Sequence, residues 1–341
     1  MSQKRVAVVI LNWNGRAFLR QFLPSVIRFS AHLADIIVID NASTDDSLTC
    51  LRENFPEVRL ISNHTNLGFA GGYNHGLEQV ENEYYILLNS DIEVTEAWIE
   101  PLLEYMDAHP MVAACQPKIL SWHQPEYFEY AGASGGFIDK WGYPFCRGRL
   151  FQVLEKDRGQ YDDPKRIFWA TGACMFVRKV VFRRADGFDA DFFAHMEEID
   201  LCWRFQHMGY EIAVVPTSRV YHIGGGTLPK QSWRKTYLNM RNNGLMLIKN
   251  LPRRRLPVVL SARLFLDLAA ALKFLADGGF RNFFAVFRAH ASIFRQFALT
   301  LRKRRKVKPR NDVFIYRGSI VWAYFVAGKR YFSELKQQNF R

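Results

Sequence analysis

The sequence predicts an α/β fold: a doubly wound mixed sheet, largely parallel at its start and flanked by helices, followed by a helical C-terminal region rich in basic and aromatic residues. Three observations predict it. Short β-branched runs alternate with helical periodicity through the first hundred residues, each run ends in a polar or glycine-containing cluster, and the charge balance changes sharply after residue 250.

Val6–Leu11 is apolar throughout and stops at Asn12, Asn14 and Arg16, too short for a secretory leader, so it reads as a buried strand. Ala17–Phe29 follows as a helix, then a strand at Asp35–Asp40, a helix at Asp45–Asn54, a strand at Val58–Ser62 and a helix at Gly71–Val80. Tyr84–Asn89 completes the rhythm as a strand and Glu96–Ala108 as a helix. From Val112 to Gly187 the pattern weakens to short strands, aromatics and glycine turns, a composition suited to an acceptor-binding face. Helical periodicity returns at Met196–Met208, followed by strands at Glu211–Pro216 and around Val220–Ile223 and a helix from about Gln231 to Asn250. Pro252, the run Arg253-Arg254-Arg255 and Pro257 mark the boundary between two regions, 1–250 and 251–341.

The formal charge of +13 divides unevenly. Residues 251–341 hold 20 of the 46 basic but only 4 of the 33 acidic residues, so the tail carries +16 and the body −3. The basic surface therefore serves a partner of the tail and not a basic active site. Five dispersed cysteines without a C-x-x-C pair indicate neither a disulfide framework nor a structural zinc site.

In doubly wound sheets the ligand crevice lies beyond the carboxyl ends of the strands, where the polar clusters sit. Asp40-Asn41 and Asp91 each follow an apolar strand, and a carboxylate there can accept hydrogen bonds from a nucleobase or ribose or ligate a hard cation. Ser43 and Asp45 serve equally well as helix caps, but Asp91 precedes Ile92-Glu93-Val94, which is no helix start. The stretch Asn66–Gly76 places glycines at a strand-to-helix junction, where backbone amides can meet an anion; it is neither a dinucleotide fingerprint nor a P-loop. In His195–Arg204, adjacent Glu197 and Glu198 point about 100° apart on a helix and can hold different roles, one of them general base. His222, at a strand end before Gly224–Gly226, can ligate a metal or touch a phosphate, or be purely structural.

These segments, in this order over residues 5–250, resemble the family-2 glycosyltransferases of the GT-A fold, particularly a rhamnosyltransferase-like branch. Val9–Gly15, with Asn12 and Asn14, is similar to the opening strand, and Val38–Asp45, with Asp40 and Asn41, to the nucleotide-recognition loop. Asn66, Gly68 and Asn74 match the motif lining the nucleotide, and Asn89-Ser90-Asp91 matches the metal-binding D-x-D position with asparagine first, leaving Asp91 to supply the carboxylate. Thr171–Met175 resembles the acceptor-side strand. Glu197-Glu198 followed by Arg204 resembles the catalytic E-D…R motif with Glu198 in place of the aspartate; Glu197 and Asp200 remain candidates for the base. His222 and Thr227 match a region near the metal and diphosphate. The resemblance implies an inverting, metal-dependent transferase using Mg²⁺ or Mn²⁺, a nucleotide-diphosphate sugar such as deoxythymidine-diphosphate rhamnose, and a glycan or lipid-linked glycan acceptor of bacterial surface polysaccharide synthesis. A sugar nucleotidyltransferase would need a basic glycine-rich loop that Asn12–Gly15 does not provide; a catalytically inactive scaffold of the same fold is the other alternative.

In the tail, Arg281, Arg288, Arg295 and Arg302 recur every seven residues, with Phe283, Phe287, Phe294, Phe297 and Leu301 across the helix, while Arg263, Asp267, Lys273 and Asp277 occupy about a third of the wheel of the helix before it. Charges at this spacing preclude a clean spanning helix and fit an interfacial one, with Lys303–Lys306 adding attraction for anionic lipid. The expectation is a protein peripheral on the cytoplasmic face of the plasma membrane, attached through residues 251–310; the alternative is a helix pair packed on the domain or across a homodimer. No nucleic-acid module is recognisable.

Overall fold

A computed structural model describes residues 4–224 and 232–340 of the chain. The alternation of the opening segment is realised as β1 (Val6–Asn12), α1 (Arg16–Ser30), β2 (Ala34–Asp40), α2 (Ser47–Asn54), β3 (Arg59–Ser62), α3 (Gly68–Leu77) and β4 (Tyr84–Asn89). Next come β5 (Ile92–Val94), α4 (Glu100–Ala108), β6 (Val112–Ser121), β7 (Gly136–Ile138), β8 (Pro144–Cys146), β9 (Arg149–Leu150), β10 (Val153–Leu154), β11 (Lys165–Ile167) and β12 (Cys174–Arg178). The second half holds α5 (Lys179–Arg184), α6 (Glu197–His207), β13 (Glu211–His222), α7 (Trp233–Asn250), α8 (Leu256–Ala276), α9 (Phe280–Val307) and α10 (Ile320–Phe325).

Nine strands form one sheet in the order β11-β13-β6-β12-β4-β1-β2-β3, with β5 added beside β13. β1 to β4 pair in parallel, and antiparallel β12 sits between β4 and β6, which makes the sheet mixed. β1 is apolar on both sides because both sides are buried: Val6, Val8 and Ile10 join one core, Ala7 and Val9 the other. A second sheet of four short strands, β7 to β10, stands beside the first.

Three boundaries differ from expectation. α3 begins at Gly68, inside the glycine stretch, because the loop before α6 caps it; Phe69 and Ala70 donate their amides to the carbonyl of Phe193 at 2.7 and 3.3 Å. α4 starts late because Ile92–Val94 pairs with β13, and the two strands expected near residues 211–223 are one strand with a register shift between Val215 and Arg219.

α7 closes over the loop that precedes α6, and α8 and α9 form a helical hairpin turning at Asp277–Gly279. The charges expected to share one side of α8 divide. Arg263 and Asp267 turn inward and pair at 2.9 Å, with Arg263 stacked over Tyr143 and bound to Asn243 at 2.6 Å, whereas Lys273 and Asp277 pair at 2.7 Å on the surface. The chain then returns. Tyr316, Ile320, Phe332 and Leu335 are buried in the same core as Phe137 and Phe145 of the small sheet, and Tyr316 donates its amide to Ile138 at 2.9 Å. No described helix is long and apolar enough to cross a membrane.

Candidate active site

The ends of β1, β2 and β4 bring three predicted clusters together. Asp40, almost fully buried, accepts from the Asn12 amide at 3.1 Å and from the backbone of Ser43 at 3.0 Å. Asn14, exposed and at φ 52°, receives the Thr44 amide at 2.7 Å and donates its own backbone N–H to Ser43 at 2.9 Å. Ser90 borders the same corner: a Cβ on Gly15 would fall 2.4 Å from Asn12 Oδ1 and 3.5 Å from Ser90 Oγ. The buried Asn41 spans the next loop, donating to Asn66 Oδ1 and the Gly68 carbonyl at 3.0 Å each and accepting from Asn63 at 3.0 Å. Asn74 turns the other way and clasps the backbone of Phe188 at 2.7 and 2.9 Å. Gly68 needs its hydrogen: at φ +71° a Cβ there would lie 2.5 Å from the Phe193 ring, which is how closely α3 meets the loop before α6.

Asp91 and His222 meet at 3.1 Å, Oδ1 to Nε2, both buried, with Asn89 Nδ2 at 3.5 Å from the same nitrogen. On its other side the ring faces Glu129, whose Oε2 is 3.2 Å from Nδ1. That contact is an ion-pair approach, not an aligned hydrogen bond. Burial opposes ionising all three groups, but the hydrogen bond between Asp91 and His222 and the opposite charges on either side of the ring outweigh it. Asp91 and Glu129 lie below the usual carboxylate range and His222 is carried up to about 10. No group of three or more metal-ligating side chains is assembled among the described residues. Gly225, Gly226 and Thr227 lie outside them.

At the start of α6 the three acidic candidates separate. Asp200 is fully committed: Arg204 donates to it at 2.9 Å, Lys249 at 2.8 Å and the amide of Asn250 at 2.8 Å. Arg204 spends its remaining donors on the carbonyls of Ala185 and Gly187 and so pins the loop between α5 and α6. Glu197 and Glu198 each keep an inaccessible Oε2 with no hydrogen-bond partner among the described residues. Burial drives Glu198 up to about 7, and burial together with the neighbouring Glu198 charge drives Glu197 well above its usual range. Glu198 sits against the Thr171–Met175 segment, since a Cβ on Gly172 would lie 3.7 Å from Glu198 Cβ and 3.1 Å from the Phe69 ring.

The turn into α6 is strained. Phe193, His195 and Met196 all have φ between 64° and 72°, a region that costs a non-glycine residue about 1–3 kcal/mol. Asn242, fully buried on α7, holds this turn by donating to the carbonyls of Phe192, Ala194 and His195 at 2.9, 2.9 and 2.7 Å. Neither Asn242 nor Glu129 carries a motif signal, and only their long-range contacts reveal them.

A cavity of about 340 Å³ lies elsewhere, lined by Arg184, Asp189, Arg204, Lys249, Lys303 and Lys306. Lys249 and Lys303 are already paired to Asp189, so it offers less chemistry than the crevice above.

The family model described as glycosyl transferase family 2 matches residues 7–185, from β1 through α5. An N-acetylglucosaminyl-diphospho-decaprenol L-rhamnosyltransferase of Mycobacterium tuberculosis is 25% identical over 233 residues, covering 63% of this chain and 75% of that one. Among solved structures, GalNAc-T7 with UDP, GalNAc and Mn²⁺ superimposes with a TM-score of 0.59 at 17% identity, covering 74% of this chain and 49% of that one, so the match spans about half of that protein. The mannosyltransferase PcManGT from Pyrobaculum calidifontis, in complex with GDP-Man and Mn²⁺, gives 0.51 at 15% identity and covers 87% and 76%. With a sheet of this order, polar clusters gathered at its strand ends and a family match over more than half its length, the chain belongs to glycosyltransferase family 2 and is a glycosyltransferase of the GT-A fold.

Proposed function

We propose that the protein is an inverting, metal-dependent hexosyltransferase that moves rhamnose from deoxythymidine-diphosphate rhamnose to a hydroxyl of a lipid-linked glycan in bacterial surface polysaccharide synthesis. The sugar and the lipid-linked acceptor follow the mycobacterial relative's description, and the thymidine nucleotide follows the family resemblance of the sequence motifs. The observation that carries the catalytic reading is the Glu198 carboxyl, one oxygen of which has no hydrogen-bond partner among the described residues, raised by burial to about 7 beside Gly172. A base with that affinity for protons is matched to taking one from an acceptor hydroxyl near neutral pH. Glu198 accepts the proton as the acceptor oxygen attacks the anomeric carbon from the face opposite the leaving diphosphate, which inverts its configuration.

Asp91 and His222 fit a divalent cation: one carboxylate and one imidazole already face each other at 3.1 Å. Such a set suits Mn²⁺ or Mg²⁺ completed by substrate phosphates and water. Bound there, the cation supplies charge stabilisation to the departing diphosphate. His222 Nε2 must give up its proton to join, and Glu129 behind the ring fixes which nitrogen faces inward. Asp40, with Asn12, Asn14 and Ser90 around it, receives the base and ribose; Asn41, Asn66, Gly68 and Asn74 hold the loops that line them.

We further place the protein on the inner face of the plasma membrane, peripheral, with residues 251–310 against anionic lipid. The reading is supported by the +16 charge of the tail.

The test is thermal stabilisation by thymidine, uridine, guanosine and cytidine diphosphates, each with Mn²⁺ and with a chelator. A ligand at 100 times its dissociation constant adds about 2.7 kcal/mol. Stabilisation by the thymidine nucleotide with metal supports the proposal. Preference for another nucleotide would reassign the donor, and none at all would return the chain to a scaffold.

A further inference from the structure

α8 has the polarity of a surface helix turned inside out. Between Pro257 and Leu272 the charged side chains are Arg263 and Asp267, and both are buried against Tyr143, Asn243 and each other. His290 of α9 faces Asp267 at 3.4 Å from the other side. Everything exposed over the same stretch is uncharged: Val258, Leu264, Phe265, Leu268 and Leu272 stand out, Phe265 at 72% exposure, with Ser261 the lone polar position. After the turn, Phe280, Phe284, Phe287 and Phe294 of α9 continue the exposed apolar set, Phe294 at 83%. A water-facing helix carries its charges outward, and an exposed apolar surface of this extent marks an interaction site.

Charge identifies what covers it. Arg253 and Arg254 are exposed just before α8, and Arg281, Arg288, Arg295 and Arg302 are exposed along α9 beside the phenylalanines. A second copy of the chain docking through this face would bring like arginines toward each other across a two-fold axis. Phosphate headgroups above hydrocarbon satisfy both sets at once.

We propose that α8 lies in the plane of an anionic phospholipid bilayer with its outer face among the acyl chains, while the α9 arginines engage headgroup phosphates. This rests on the membrane reading above and adds to it that attachment is anchored by apolar insertion and not by charge alone. The α8 axis is about 31 Å long at 1.5 Å per residue, and the helix immerses lengthwise without crossing.

The experiment uses the full-length protein in flotation with neutral phosphatidylcholine vesicles and with vesicles containing phosphatidylglycerol, at low and high salt. Two triple variants are compared, Leu264→Ser/Phe265→Ser/Leu268→Ser and Arg288→Gln/Arg295→Gln/Arg302→Gln, with thermal unfolding to verify that each is folded. In parallel, Phe265→Trp is placed in vesicles with brominated acyl chains. The expected result is that the serine variant loses binding about tenfold or more. The glutamine variant should lose mainly the preference for phosphatidylglycerol, and the fluorescence gained in the Phe265→Trp variant should be quenched by brominated chains. Wild-type binding by the serine variant, or an unquenched signal from the introduced indole, overturns insertion while leaving electrostatic attachment standing. No vesicle binding by the wild type overturns the membrane reading itself. A concentration-dependent dimer in sedimentation, abolished by the serine variant, overturns the proposal in favour of a second copy.

Discussion

Replacing Glu198 with glutamine should make the protein more stable and inactive at the same time. The Glu198 carboxyl is raised from 4.5 to about 7, so between those values the folded chain keeps a proton that the unfolded chain releases. Stability is therefore fullest below pH 4.5, falls as pH rises through 7, and stays lower by roughly 2–3 kcal/mol at pH 8. Glutamine has nearly the same shape and never ionises, so Glu198→Gln should recover that amount at pH 8 and little at pH 4.5. In a chain of this size the gain raises the melting temperature by about 3–4 °C. Turnover should fall about 10² to 10⁴-fold with donor affinity unchanged. Calorimetry at the two pH values, with a coupled assay for released nucleoside diphosphate, measures both. The wild-type rate should climb with pH to a plateau, the midpoint belonging to the Glu197–Glu198 pair and not to one residue. A variant no more stable than wild type at pH 8, or one that still turns over, refutes the assignment of Glu198 as the buried base.

Asp91→Ala should remove Mn²⁺-dependent nucleotide binding while sparing the fold, as read by calorimetric titration with and without chelator. Glu129→Gln keeps the shape behind His222 but not the charge; Mn²⁺ affinity, followed by the electron-spin signal of the free ion, should weaken about 10 to 100-fold. Asn242→Ala frees the strained turn before α6 and strands the carbonyls of Ala194 and His195, while that of Phe192 keeps Arg241, so we expect a loss of about 2–4 kcal/mol in denaturant unfolding and a lower kcat. An Asn242→Ala enzyme with wild-type stability would show that the turn holds itself.

The strands β1 to β4 were legible because buried parallel strands read as unbroken apolar runs, and the polar residues at their ends had no structural reason to be so dense. Helix ends were less legible. α3 starts on glycines that propensity disfavours, because the Phe193 carbonyl caps it from about 125 residues away. Residues 112–187 were opaque since their strands are two to five residues long apart from β6 and depend on distant partners. Sequence put Glu198 at the position of the base but left Glu197 and Asp200 as candidates. Asp200 drops out only because Lys249 and Asn250, at the end of a helix some 50 residues later, fold onto it. Nothing in the spacing of the α8 charges revealed that Arg263 and Asp267 would turn inward, because their partners Tyr143 and Asn243 come from other elements.

The return of residues 313–340 to the small sheet makes the α8–α9 hairpin an excursion with both feet planted on the same body. A ribosome releases the hairpin before it releases Tyr316 and Phe332, so the face of Phe137 and Phe145 stays open until residues 316–340 emerge. Shortening the chain at Pro252 to obtain a trimmed enzyme would thus remove part of its hydrophobic seal, and a prematurely terminated product would expose aromatic surface to quality-control proteases. A loop tethered at two points also cannot swing like a flag on a linker. On the bilayer proposed above, the site would be held at a fixed height and angle, and an acceptor would be selected by how far its reactive hydroxyl stands from that support.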